Sequence, residues 1–397
     1  MKNYVSIILL FVFQGALSQE IRDAKFGKGM INYIAKDSSF SVNFAPRIQS
    51  RYESKWSFDG ENYESGSTNF LIRRARLKFV GYVYSPKLKY KIELGLSNRD
   101  ISGANLFNGN TPRQILDAVL MWNFYKNFEL WAGQTKLPGN IERVVSSGNL
   151  QFIDRSLLNS KFNIDRDMGI QLRNKSKIGN QFMIKEKFAI SQGEGRNITE
   201  GNLGGHQYTS RIELLPFGEF KSKGNYTQGD LVREKLLKTM IGFTYDINKN
   251  AVKNRSNMGS YLFLNDRSLF ETDITTYFID GVMKYNGFAF TGEYAFRTAD
   301  TIVIKESDGT IINSVAAGSA INFHGSYLFN NNFELALRYT NLDFKIITGL
   351  ADLKQFTIGF SKYIVGHKLK FQSDLSLSSK DNQKDYVQFR TGFDLHF

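Results

Sequence analysis

The stretch 70–83, FLIRRARLKFVGYV, carries cations at alternate positions: Arg74, Arg76 and Lys78. In an extended strand successive side chains point to opposite faces, so these three project together. At about 3.3 Å rise per residue they stand about 6.6 Å apart. That is inside the Debye length of about 8 Å at physiological salt, so their potentials overlap. Cations in series can hand an anion from one weak site to the next. Arg adds a planar fork of donors that matches phosphate. The opposite face is apolar, with Leu71, Ala75, Leu77 and Phe79, but Arg73 intrudes on it. On a soluble sandwich the charged face would meet bulk water. In a transmembrane barrel the same alternation means lipid outside and a cation-lined lumen. The competing role for the ladder is structural, pairing with acids across strands. Arg73 breaks the parity and is expected near the membrane rim, at a bulge or in a subunit interface.

The rest of the chain favours the barrel. Residues 1–18 read as a secretory signal peptide, with Lys2, the apolar run VSIILLFVF over 5–13, and Ala16-Leu17-Ser18 as the cleavage region. The run is too short to span a bilayer as a helix. The 397 residues hold no Cys, which excludes disulfide and thiolate-metal frameworks, and a net charge of +13 points to an anionic partner. Export argues against nucleic acid as that partner. Residues 19–38 are polar and read as an N-terminal periplasmic segment. Residues 39–397 alternate apolar and polar almost to the end and form the barrel domain.

Connections fall into two kinds that alternate along the chain. Short ones hold Ser85-Pro86-Lys87, Lys126-Asn127, Pro216-Phe217-Gly218, Asn286-Gly287, Asn330-Asn331-Asn332 and Val365-Gly366-His367. These residues suit tight hairpins. Aromatics flank them, as an interfacial girdle requires: Tyr82, Tyr84 and Tyr90; Phe124, Tyr125 and Phe128; Tyr285 and Phe288; Phe329 and Phe333. Long polar connections cover about 53–67, 98–113, 137–164, 193–205, 228–236, 298–316 and 379–385. Sorting of loops by length predicts an all-β transmembrane antiparallel β-barrel with short periplasmic turns and long extracellular loops. The last strand places Val387, Phe389, Phe393, Leu395 and Phe397 on one face, and a C-terminal Phe resembles the assembly signal of outer-membrane barrels. Hairpin counting gives 18 strands. The weakest lies within 255–264, and dropping that hairpin gives 16. Either number leaves an aqueous channel.

Parity makes Arg47, Arg51, Lys89, Lys91, Arg173, Arg211, Arg297, Arg338 and Arg390 further candidates for the lumen, partly offset by Glu93, Glu213, Glu293, Glu334 and Asp394. For these arginines pairing across strands is at least as good a reading as anion passage. The connection 137–164 is the candidate constriction. It carries Val144, Val145, Leu150, Phe152, Ile153, Leu157 and Leu158, which folding into the lumen would bury, leaving Arg143, Arg155 and Lys161 to face the pore. The alternative is an external loop packed on its neighbours. The four His residues are scattered and no nucleophile motif stands out, so no catalytic residue, metal site or cofactor is expected.

Four elements together resemble the phosphate-selective porin O and P family: Ile72-Arg73-Arg74-Ala75-Arg76-Leu77; Gly133-Gln134-Thr135-Lys136-Leu137-Pro138; Asp165-Arg166-Asp167-Met168-Gly169-Ile170-Gln171; and Gly292-Glu293-Tyr294 with Arg297 beyond. The resemblance covers the whole mature chain. It implies a 16-stranded barrel in the outer membrane of a Gram-negative bacterium, assembling as a homotrimer. It also implies an infolded extracellular loop and a basic lumen passing small phosphate-like anions. A general non-selective porin is the alternative, and a surface adhesion or structural barrel is the second.

Overall fold

The computed structural model describes residues 26–397 except 59, 65, 102–104, 110–111 and 200. The expected signal peptide lies outside the described residues. Among the described residues sixteen antiparallel strands close into a barrel. They are β1 (Arg47–Phe58), β2 (Ser67–Val83), β3 (Ser85–Gly95), β4 (Ile115–Tyr125), β5 (Phe128–Lys136), β6 (Arg166–Ile178), β7 (Phe182–Ser191) and β8 (Gln207–Leu215). Then follow β9 (Lys238–Ala251), β10 (Thr272–Tyr285), β11 (Phe288–Ala299), β12 (Gly318–Leu328), β13 (Phe333–Phe344), β14 (Leu353–Val365), β15 (Leu369–Lys380) and β16 (Asp385–His396). Each strand pairs with the next, and β16 pairs with β1 from His396↔Arg47 to Asp385↔Phe58, which closes the ring. Closure leaves no open edge in the bilayer, where an unpaired backbone group would have no water to bond.

Two extra strands, Ile31–Ile34 and Ser41–Phe44, form a hairpin on the turn side of the barrel, where Asn43 and Phe44 pair with Val80 and Phe79 of β2. Gly81 permits this docking. A Cβ there would stand 1.9 Å from the Ser41 carbonyl oxygen.

Alternation sorts the side chains as lipid and water demand. Tyr277, Ile279 and Met283 of β10 and Leu337 and Tyr339 of β13 point outward, whereas Thr276, Asp280, Arg338 and Thr340 are buried inside. Near the short turns the aromatics form a belt. Phe288 lies 4.5 Å from Tyr327, Tyr327 is 5.0 Å from Phe329, and Phe329 and Phe333 continue it toward Phe360.

The hairpin count of 18 is corrected to 16, and both surplus strands have a physical explanation. Residues 216–237 are one connection on the turn side, not a short turn, a strand and an outer loop. Its short 3-10 turn Lys221–Tyr226 holds Ser222 and Lys223 at φ of 51° and 57°, which no strand tolerates. Phe220 and Tyr226 instead pack inside the barrel with Leu215, Met240 and Val282. Asn248-Lys249-Asn250 does not turn the chain but ends β9, and the stretch 255–264 joins a small loop hairpin, Lys253–Arg255 with Met258–Tyr261.

Arg73 marks a second irregularity. Gln49 pairs with Arg74 while Ser50 pairs with Ile72, so Arg73 is the extra residue of a β-bulge. The bulge changes phase. Before it Phe70 and Ile72 face outward; after it Arg74 and Arg76 face in. Leu71, expected on the lipid face, is opposite inward-facing Arg51 instead.

Replacing Gly81 by Val is expected to release the 31–44 hairpin without opening the barrel. Limited proteolysis of folded protein should then cut N-terminal to residue 45 in the variant only; equal protection in both would show that the hairpin does not need this close approach.

Candidate functional site: a basic passage beside an infolded loop

The connection between β5 and β6 enters the barrel, which its apolar residues require. Leu137, Leu158, Phe162 and Ile164 pack against Phe278, Leu342, Phe344 and small residues of the wall. Ile141, Val145 and Leu150 pack against Met183, Leu215 and Met240. Each such side chain contributes about 1.5–3 kcal/mol when fully buried. Burial also brings backbone polar groups out of water, and each needs a partner.

The wall over β8–β15 supplies those partners. Arg211 donates to the Gly139 carbonyl at 3.1 Å and is fixed by Asp280 and Glu213. Asp280 accepts from the Ile141 N–H, and Glu293 accepts from the Glu142 N–H at 2.8 Å and from the Asn140 amide. Lys370 holds the carbonyls of Gly148 and Leu150 at 3.0 and 2.5 Å, and Arg338 donates to the Asp154 carbonyl at 3.0 Å. Arg297 grips the carbonyls of Lys161 and Phe162 at 3.0 and 2.5 Å. Parity offers Arg211, Arg297 and Arg338 as pore-lining candidates. They are instead buried under the loop, because buried carbonyls are the acceptors within reach. Arg390 forms a two-point pair with Asp374 at 2.7 and 2.9 Å.

The connection 216–237 meets the loop from the turn side. Gln228 donates its N–H to the Asn149 carbonyl at 2.8 Å and accepts from the Gln151 N–H, while Gln151 accepts from the Gly229 N–H. Two segments entering from opposite ends thus fill one half of the lumen.

The other half is an open cavity of about 460 Å³ along the wall of β1–β7. Fifteen Lys and Arg against four Asp and Glu line it. The ladder Arg74, Arg76 and Lys78 is there, with Arg47 and Lys91 from the neighbouring strands and Arg143 and Arg155 from the loop. Lys89 is exposed, and Arg51 is buried between Glu53 and Asp154; both lie outside the lining. Lys161 also falls outside it, because the loop turns its side chain to the surface. Arg73, Lys136, Arg166, Lys187, Arg99, Arg196 and Lys368 line the cavity although parity did not single them out. Lys136 and Arg166 sit in two of the quoted sequence elements. Arg99 and Arg196 come from loops, which parity cannot read.

The cations differ in how far they are neutralised. Arg76 binds Asp100 at 2.6 Å and Glu93 at 3.1 Å; Lys91 reaches Glu93 and Asp117, both at 2.8 Å; Arg166 shares Asp117 at 3.0 Å. Arg51, Arg73 and Arg74 converge on Asp154 at 3.0, 3.1 and 3.0 Å. Burial pushes the Asp154 carboxyl up, but Arg73 and Arg74 outweigh it and hold it well below the usual range. Arg155 is pulled down by burial to about 10 and stays charged at neutral pH. It donates to the Glu142 and Val145 carbonyls, and Lys136 is held by the carbonyls of Arg143, Val144 and Val145. Among the described residues Lys78, Lys136, Arg173 and Lys368 form no ion pair. The passage therefore keeps a net positive charge after all pairing.

Replacing Asp154 by Ala leaves three cations without their common partner. Unfolding in detergent by denaturant should show a loss of about 3 kcal/mol, and single-channel current should become noisier. Unchanged stability and noise would mean that this cluster does not hold the loop tip.

No curated protein matches the chain. Among solved structures, the anion-selective porin from Comamonas acidovorans is similar, with a TM-score of 0.56 at 12% identity over 90% of this chain and all of that one. OmpT of Vibrio cholerae in its trimer form gives 0.51 at 13% identity, with 90% of this chain and 100% of that chain covered. The outer membrane channel DcaP of Acinetobacter baumannii gives 0.50 at 10% identity, with 92% and 99% covered. At these identities the likeness is one of fold. The family model described as phosphate-selective porin O and P matches residues 47–384, and the chain belongs to that family of outer-membrane porins.

Proposed function

We propose that the protein is a passive channel preferring small anions, phosphate-like ones among them, and that it works as a homotrimer. The observation that carries this is the excess of fifteen basic over four acidic side chains around the passage. An anion entering a narrow lumen sheds part of its water, and fixed cations and N–H donors take that water's place. Arg74, Arg76 and Lys78 stand in series on β2, with Arg143 and Arg155 facing them from the loop. Several weak sites with overlapping fields speed entry without trapping the ion. A cation would have to pass these charges with few carboxylates left free, since Glu93, Asp117 and Asp165 are already bound by Lys91, Arg166 and Arg143. Trimer assembly is supported by the trimer form of OmpT, the outer membrane protein of Vibrio cholerae whose fold is similar.

The zero-current potential in a planar bilayer under a KCl gradient is expected to take the sign of chloride preference; the opposite sign would overturn the proposal, and a value near zero would favour a general porin. Within the ladder, Lys78→Gln should lower the chloride-to-potassium permeability ratio about two- to threefold, since one charge at this spacing in water is worth about RT. Arg74→Gln should act mainly through the loop, because Arg74 is buried against Gln49 and Asp154. A ratio untouched by Lys78→Gln would assign the ladder to the wall rather than to the passage.

A further inference from the structure

Trp131 is an apolar ring on the inner wall of a passage otherwise dominated by charge. It faces the cavity from β5, its Cα partner on β4 is Met121, and Val119 follows one step along on the same face. The indole N–H donates to Glu129 at 2.8 Å, which fixes the ring. The Arg173 guanidinium lies 3.6 Å from the ring centroid and is itself fixed by Gln171. Arg173 also lines the cavity and forms no ion pair among the described residues, so its charge remains available to an arriving anion.

A hydrated inorganic anion gains nothing from Met121 or Trp131, the two half-buried apolar side chains here. Apolar area facing a wet lumen is instead recovered by a solute that carries an apolar body beside its charge. Indole edges and a thioether pack well on aromatic rings. A carboxylate is matched by the planar donors of a guanidinium. The Lys136 ammonium lies five residues further along β5, about 16 Å away, too far for one small molecule to reach both levels. We infer that Met121 and Trp131, with the Arg173 guanidinium, form a binding step for small aromatic carboxylates on the passage wall. The inference rests on the anion-passage reading and adds a class of organic solute to it. The carboxylate bonds Arg173 while the ring lies along Met121 and the indole, and release toward the turn side needs only the loss of these few contacts.

The test is chloride current through the full chain in planar bilayers, with benzoate, acetate or gluconate added at matched ionic strength. Benzoate is expected to interrupt the current saturably, whereas acetate and gluconate at the same concentration do not. Trp131→Ala and Met121→Asn should each raise the half-blocking benzoate concentration about three- to tenfold, with the zero-current potential in a KCl gradient unchanged. Benzoate blocking no better than acetate, or an unchanged half-blocking concentration in the variants, overturns the step. If Trp131→Ala does not assemble, Met121→Asn decides alone. A cation-selective wild-type potential would instead overturn the function on which the step rests.

Discussion

A loop that leaves water for the inside of a barrel must find a partner for every backbone carbonyl and N–H it brings along. That constraint organises this lumen. Arg297, Arg338, Arg211 and Lys370 each reach a carbonyl of the 137–164 connection, and Glu293 and Asp280 take its N–H groups. Long cationic side chains suit this work because they span the gap from wall to loop and bring several donors on one stem. The result is a lumen divided between two jobs. Cations of β8–β15 hold the loop, whereas most of those on β1–β7 line the open cavity and only some on that side, such as Arg51, Arg74 and Lys136, touch the loop.

The division explains how one inward Arg differs from another. Arg297 and Arg76 both alternate correctly on their strands. Arg297 meets the backbone of the helical turn ending at Phe162, whereas Arg76 meets Asp100, Glu93 and the cavity. The connection 216–237 strengthens the filled half from the other end, through the paired contacts of Gln228 and Gly229 with Asn149 and Gln151. The open half is thereby confined between a basic wall and the basic edge of the loop at Arg143 and Arg155.

Much of this was legible in the sequence. Period-2 alternation, the short aromatic-flanked turns and the final strand ending at Phe397 specify a barrel, because lipid and water impose opposite demands on alternate residues. The apolar content of 137–164 announces a loop that must be buried. Parity could not distinguish a clamp from a passage, since that depends on which wall the loop covers. It also failed where local chemistry interrupts a strand. The bulge at Arg73 reverses the phase of Leu71, and the left-handed Ser222 and Lys223 turn an alternating segment into a lumen-filling connection. Loop cations such as Arg99 and Arg196 carry no period at all.

The chain has no cysteine, so single introduced thiols can map the divided lumen directly. The decisive measurement is the rate at which an anionic thiol reagent modifies Lys78→Cys and Ser376→Cys in the folded barrel. Lys78 lines the cavity, while Ser376 is fully buried on β15 beside Thr357. Rapid modification is expected at position 78, with a matching fall in current, and none at 376 until the protein is unfolded. Equal rates at the two positions would contradict this division, because the side assigned to the loop would then be as open to solutes as the cavity.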